Sequence, residues 1–87
     1  MENKVTIIDV RTPMEYAGGR VEGSVNIPVD QIANRIDELK AINGSIVLCC
    51  ASGMRSFAAM QFLNQQGMDN VRDGGPWYAV ADMMEQN

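Results

Sequence analysis

The residues with the clearest chemical potential are consecutive: Cys50-Ala51-Ser52-Gly53-Met54-Arg55-Ser56, directly after the apolar run Ile46-Val47-Leu48-Cys49. A short β-rich run delivers a thiol to a loop of small residues, an arginine closes the loop, and a helical pattern begins at once. The five residues after Cys50 can turn their N–H groups inward as a nest, with Gly53 relaxing the backbone restriction. A helix N-terminus and a guanidinium both favour negative charge at the centre of such a bowl. Together they are expected to hold the thiol below its free pKa of about 8.5. This is the chemistry of an anion-handling sulfur nucleophile. Cys50 is the candidate catalytic residue, and Ala51, Ser52, Gly53, Met54, Arg55 and Ser56 form its binding loop.

The chain contains no histidine and only two cysteines, which are adjacent. Neither a Cys–His pair nor a Ser–His–Asp triad can be assembled, so the thiol must be activated without an imidazole base. CxxC and Cys/His metal spacings are also missing, and no metal or cofactor is called for. The plain alternative for Cys50 is a small buried apolar residue at a strand end. Glycine, arginine and serine at this spacing favour the reactive reading. Cys49 receives the opposite assignment. Neighbouring strand residues point to opposite faces, so it should pack in the core while Cys50 emerges into the loop.

The elements that must position this loop alternate between strand and helix patterns. Val5-Thr6-Ile7-Ile8-Asp9-Val10 reads as a strand buried on both faces. A short helix follows, capped by Thr12 with Glu15 three residues on, entered through Pro13 and stopped by Gly18-Gly19. Gly23 to Pro28 reads as a very short strand. Asp30 is expected to cap a helix carrying Ile32, Ile36 and Leu39, ended by Asn43-Gly44. After the Ile46–Cys49 strand, the longest helix should face inward through Phe57, Ala58, Phe62 and Leu63. Met68 to Arg72 fits a last strand, Asp73-Gly74-Gly75-Pro76 a turn, and Pro76 the start of a final helix. Alternation of this kind implies βαβ units and a largely parallel sheet. In such sheets ligands bind beyond the carboxyl ends of strands, where Cys50 lies.

Eighty-seven residues, 46% of them hydrophobic, are expected to form a single domain over 1–87. No apolar stretch is long enough to span a bilayer, and Met1-Glu2-Asn3-Lys4 lacks a secretory signal pattern, which points to a cytoplasmic start. Seven basic residues against eleven acidic ones give a net charge of −4, with lysines and arginines scattered singly. That disfavours nucleic-acid binding. Asp9 and Arg11 are read as a structural ion pair that includes Glu15. Trp77 and Tyr78 suit either packing or the rim of a pocket.

Four motifs in order make the chain resemble a single-domain rhodanese, a thiosulfate or persulfide sulfurtransferase. They are Ile8-Asp9-Val10-Arg11-Thr12-Pro13 with Glu15-Tyr16, Gly19-Arg20-Val21-Glu22-Gly23-Ser24-Val25-Asn26-Ile27-Pro28, the Cys50 loop, and Asp73-Gly74-Gly75. The resemblance implies an α/β fold with a parallel central sheet of about four to five short strands flanked by helices. It implies that Cys50 alternates between thiolate and persulfide, with the amides of Ala51 to Ser56 cradling the added sulfur. Arg55 stands where the family often places a basic residue toward the anionic donor. The partners implied are a small sulfur donor, thiosulfate or a persulfide, and a thiol or cyanide acceptor, with a sulfur-relay protein as a further candidate. Three departures stand out: Arg20 replaces a usual histidine, related domains usually carry roughly ten more N-terminal residues that include a small edge strand, and the expected tryptophan comes early, as Trp77.

Two other functions use related parts. A sulfur-relay or binding module would keep the scaffold without independent turnover. A cysteine phosphatase or arsenate reductase would want Cys-x5-Arg, whereas Cys50 and Arg55 are one residue closer. The tighter bowl suits one sulfur atom better than a phosphoryl group.

Overall fold

A computed structural model describes residues 4–85. Its centre is a four-stranded, wholly parallel sheet in the order β2-β1-β3-β4. The strands are β1 (Val5–Asp9), β2 (Val25–Asn26), β3 (Ser45–Cys50) and β4 (Val71–Pro76). Helices α1 (Pro13–Ala17), α2 (Ile36–Lys40), α3 (Met54–Gln65) and α4 (Trp77–Glu85) connect and cover them, with a 3-10 helix over Val29–Arg35. This is the α/β fold expected from the alternating patterns.

The period-2 alternation of strand side chains divides the core between the two faces of the sheet. Ile8, Ile46, Leu48 and Cys50 join Ile32, Leu39, Ala59 and Leu63 on one face. Ile7 and Cys49 join Val21 and Val80 on the other, with Trp77 packed against them. Cys49 and Cys50 therefore face opposite layers, as their adjacency in a strand requires.

The chain leaves β1 for β2 on one side, then crosses back to place β3 on the other. The switch point thus lies between the carboxyl ends of β1 and β3, where a crevice forms in open parallel sheets. Two structures brace that edge. Thr12 caps α1 in a reciprocal capping box with Glu15. Arg11 forks onto the buried Asp9 carboxylate, Nε to Oδ1 at 2.9 Å and Nη2 to Oδ2 at 2.7 Å, and also donates to the Gly19 carbonyl. Its guanidinium lies 4.9 Å from the Trp77 ring centroid, so Trp77 serves packing.

Several local expectations are corrected. Pro28, not Asp30, caps the segment after β2, and the segment is split into a 3-10 helix and a short α-helix. Only Ile32 and Leu39 of its three apolar positions are fully buried, too narrow a stripe to hold one continuous helix. In α3 the buried positions are Ser56, Ala59 and Leu63, while Phe57 is half exposed. The Asp73-Gly74-Gly75-Pro76 run, which composition reads as a turn, makes up the last four of the six residues of β4. Its pairing shifts register so that Leu48 faces Asp73 and Cys49 faces Gly75. Gly74 is the extra residue of this bulge. A Cβ there would lie 2.7 Å from both Val47 and Val80, so tight packing demands glycine.

Candidate active site

Cys50 is the last residue of β3, and the Ala51-Ser52-Gly53 loop carries the chain into α3. The loop folds back over the sulfur. Gly53 N–H donates to Cys50 Sγ at 3.0 Å and Ser56 N–H at 3.4 Å. Gly53 is the N-cap of α3 at φ 100°, a left-handed conformation that glycine adopts without strain, and it has no side chain to cap the helix. The cysteine sulfur fills that role by accepting the amide of Ser56, the third helical residue. A developing negative charge on sulfur is therefore also a helix cap.

The Ser56 hydroxyl lies 3.3 Å from the sulfur, 3.2 Å from the Gly53 carbonyl and 2.6 Å from Asp73 Oδ1. It has one proton, for which the sulfur and the Asp73 carboxylate compete, whereas the amide protons face no such rival. The amides are thus the more dependable donors to the sulfur. Asp73 also accepts from the Gly75 amide at 2.9 Å, which ties the bulged end of β4 to the loop. Asp73 is a part of the site that residue-level reading passes over. Its local sequence looks like a turn, and only the family motif containing it points there.

Burial pushes the Cys50 thiol up. Hydrogen bonds from Ser56, by hydroxyl and amide, and from the amides of Gly53 and Ser52 outweigh it and leave the pKa below the ordinary value. Cys49, one residue away, has no such donors. Burial, then the Asp9 charge, pushes it up to about 12. The two thiols are chemically opposite because they occupy opposite faces of one sheet.

Of the predicted loop, Ser52, Gly53 and Ser56 support the sulfur, and Ala51 is half-buried between them. Met54 begins α3 with its side chain 78% exposed. Arg55 does not turn toward Cys50. Its Nη1 and Nη2 donate to Glu15 Oε1 and Oε2 at 2.8 and 3.0 Å, so Glu15 belongs with Arg55 and not with the Asp9–Arg11 pair. Hydrogen bonds, more than arginine charge, hold the thiol down. Cys50 itself is wholly buried, a correction to its expected emergence, because the loop closes over it. A surface cavity of about 600 Å3 lies elsewhere, lined by residues such as Arg35, Asp37 and Glu38. The site is a covered loop and not a cleft.

Fold and site together define a parallel α/β protein whose thiol is held by a loop at the sheet's switch point. The chain belongs to the rhodanese-like domain family, whose model matches residues 1–74. It is 36% identical over 67 residues to a sulfurtransferase of Allochromatium vinosum, covering 77% of this chain and 62% of that protein. It is 32% identical over 69 residues to the thiosulfate sulfurtransferase PspE of Escherichia coli, covering 78% and 66%. A solved rhodanese with anions from E. coli matches the fold with a TM-score of 0.81 and 29% identity, over 90% of this chain and 93% of that one. The chain spans no more than 66% of either curated relative. Among the described residues, no helix is long and apolar enough to cross a membrane.

Proposed function

We propose that this domain is a sulfurtransferase that takes sulfane sulfur onto Cys50 from thiosulfate or a persulfide and passes it to a thiol or cyanide. The observation that carries the reading is the Cys50 sulfur accepting backbone amides at the N-terminus of α3. Those donors stabilise both the attacking thiolate and the anionic outer sulfur of a persulfide. In the first half-reaction the Cys50 thiolate attacks the outer sulfur of thiosulfate. A Cys50 S–S bond forms, the donor S–S bond breaks, and sulfite leaves with the electron pair. In the second, cyanide or a thiolate attacks the outer sulfur and the Cys50 thiolate is regenerated. Neither step needs a histidine, since sulfite and thiolate leave without protonation. Because Cys50 is buried, the Ala51–Gly53 segment must give way to admit the donor.

The names of the curated relatives support the reaction class. Two free cysteines and a thiol acceptor suit a reducing compartment, and we place the reaction in the cytoplasm. A phosphatase reading is disfavoured by Arg55, whose terminal nitrogens are directed at Glu15 and not over the loop. Intact-mass measurement after thiosulfate treatment tests the proposal. The mass should rise by one sulfur atom, in Cys49→Ser as in the wild type, and the gain should vanish in Cys50→Ser. An adduct that follows Cys49, or no adduct, contradicts it. Cyanide added afterwards separates an enzyme from a relay protein. Thiocyanate forms catalytically in the first case, while in the second the persulfide waits for a protein acceptor.

A further inference from the structure

α1 follows β1 and α3 follows β3, so the two helices leave neighbouring strand ends, and among the described residues an ion pair reconnects them beside the cysteine loop. Arg55 and Glu15, 40 positions apart in sequence, meet fork to fork, with both terminal nitrogens of Arg55 engaged. Glu15 is not a roaming surface side chain. Its Oε1 also accepts from the Thr12 amide at 2.9 Å and the Thr12 hydroxyl at 3.1 Å. The bond to Arg55, followed by the Thr12 amide, draws the Glu15 carboxyl down to about 2. It is therefore a fixed negative charge at working pH. The guanidinium belonging to the cysteine loop thus meets an incoming donor with its charge already matched and one N–H of each terminal nitrogen given to Glu15.

We propose that Glu15 sets donor selectivity: by holding Arg55, it weakens the site's attraction for dianionic thiosulfate and favours donors with a single negative charge, such as persulfides and thiosulfonates. The proposal rests on the sulfurtransferase reading. The bond changes are the same for each donor, and only the leaving group differs: sulfite from thiosulfate, a thiolate from a persulfide, a sulfinate from a thiosulfonate. A dianion must compete with the Glu15 carboxylate for the fork of Arg55 and meets its repulsion. A monoanion depends less on either. Both side chains are about a third exposed, at 35% and 37%, so solvent screening keeps the discrimination modest.

The experiment compares thiosulfate with methanethiosulfonate, which replaces one charged oxygen by a methyl group, with cyanide as acceptor. Glu15→Gln removes the charge but keeps an oxygen for the Thr12 amide, so the capped helix and the fold persist. Its KM for thiosulfate should fall roughly three- to fivefold relative to that for methanethiosulfonate, with kcat little changed. Glu38→Gln removes the same charge from a second surface arginine pair, Arg35–Glu38, and should leave the ratio of KM values unaltered. An unaltered ratio in Glu15→Gln, or an equal change in Glu38→Gln, overturns the selectivity role. A kcat loss with no change in ratio assigns Glu15 to positioning alone and overturns it too. Failure of wild-type protein to acquire sulfur on Cys50 from either donor overturns the underlying reading instead.

Discussion

At the scale of single residues, the decisive contrast is between two adjacent thiols. Cys50 accepts amide hydrogen bonds and lies below the ordinary thiol pKa, while Cys49 is pushed up to about 12. A small alkylating reagent at neutral pH should therefore modify Cys50 and spare Cys49 in the folded protein. Peptide mapping decides it, and preferential labelling of Cys49 would contradict the assignment. Ser56→Ala should raise the Cys50 pKa yet leave it below that of the unfolded thiol, because the amides of Gly53 and Ser56 remain. A variant thiol that titrates at or above the unfolded one would mean that the hydroxyl, not the backbone, holds the charge. The opposite facing of Cys49 and Cys50 was legible from strand periodicity alone. The burial of Cys50 was not, because it depends on the following loop folding back over the sulfur, which strand periodicity does not report. The partner of Arg55 was hidden in the same way. Nothing near Glu15 or Arg55 in sequence announces a bond between α1 and α3.

At the scale of elements, the strand that ends in Cys50, the loop that turns and the helix that starts act as one device. Gly53 is its hinge, at φ 100°. Gly53→Ala places a side chain in the left-handed region, at a cost of about 1–2 kcal/mol. It should also raise the thiol pKa, because the strained loop withdraws the amide 3.0 Å from the sulfur. Thermal melts and alkylation rates check the two effects, and a stable variant with unchanged reactivity would remove the loop geometry from the account. β1, β3 and the β/α alternation were readable because their apolar runs are strong and bounded by turn residues. The bulged end of β4 was not. Asp73-Gly74-Gly75-Pro76 has turn composition, and only pairing with β3 keeps it extended. The short helices before β3 failed for the complementary reason, since an apolar pattern predicts a helix without saying whether packing will sustain it.

At the scale of the whole molecule, a domain this small has a narrow stability margin of roughly 3–5 kcal/mol from its core. The buried Asp9–Arg11 pair braces the sheet end beneath the site. Arg11→Ala leaves the Asp9 charge unpaired and should cost about 3–5 kcal/mol, a loss comparable to that whole margin. A circular dichroism spectrum matching the wild type with an unshifted melt would contradict that. Stability should also depend on pH. Glu15 is lowered in the folded state to about 2. Its contribution is complete above its unfolded pKa of about 4.3 and is lost as pH falls toward the folded value. Urea midpoints should fall less steeply through that acid range in Glu15→Gln than in the wild type, and parallel curves would count against the pairing. Cys50 follows the same sign. Its folded pKa is depressed, so ionisation favours the fold above the unfolded value of about 8.5, and that gain disappears as pH falls through the folded pKa. Only the complete fold gathers strand end, loop, helix start and Asp73 around one sulfur atom. Ultraviolet titration of thiolate absorbance, in native and urea-unfolded Cys49→Ser protein, tests that dependence most directly. The account predicts a native thiol that ionises below the unfolded one and disappears on Cys50→Ser. A native Cys50 that titrates at or above its unfolded value would contradict it.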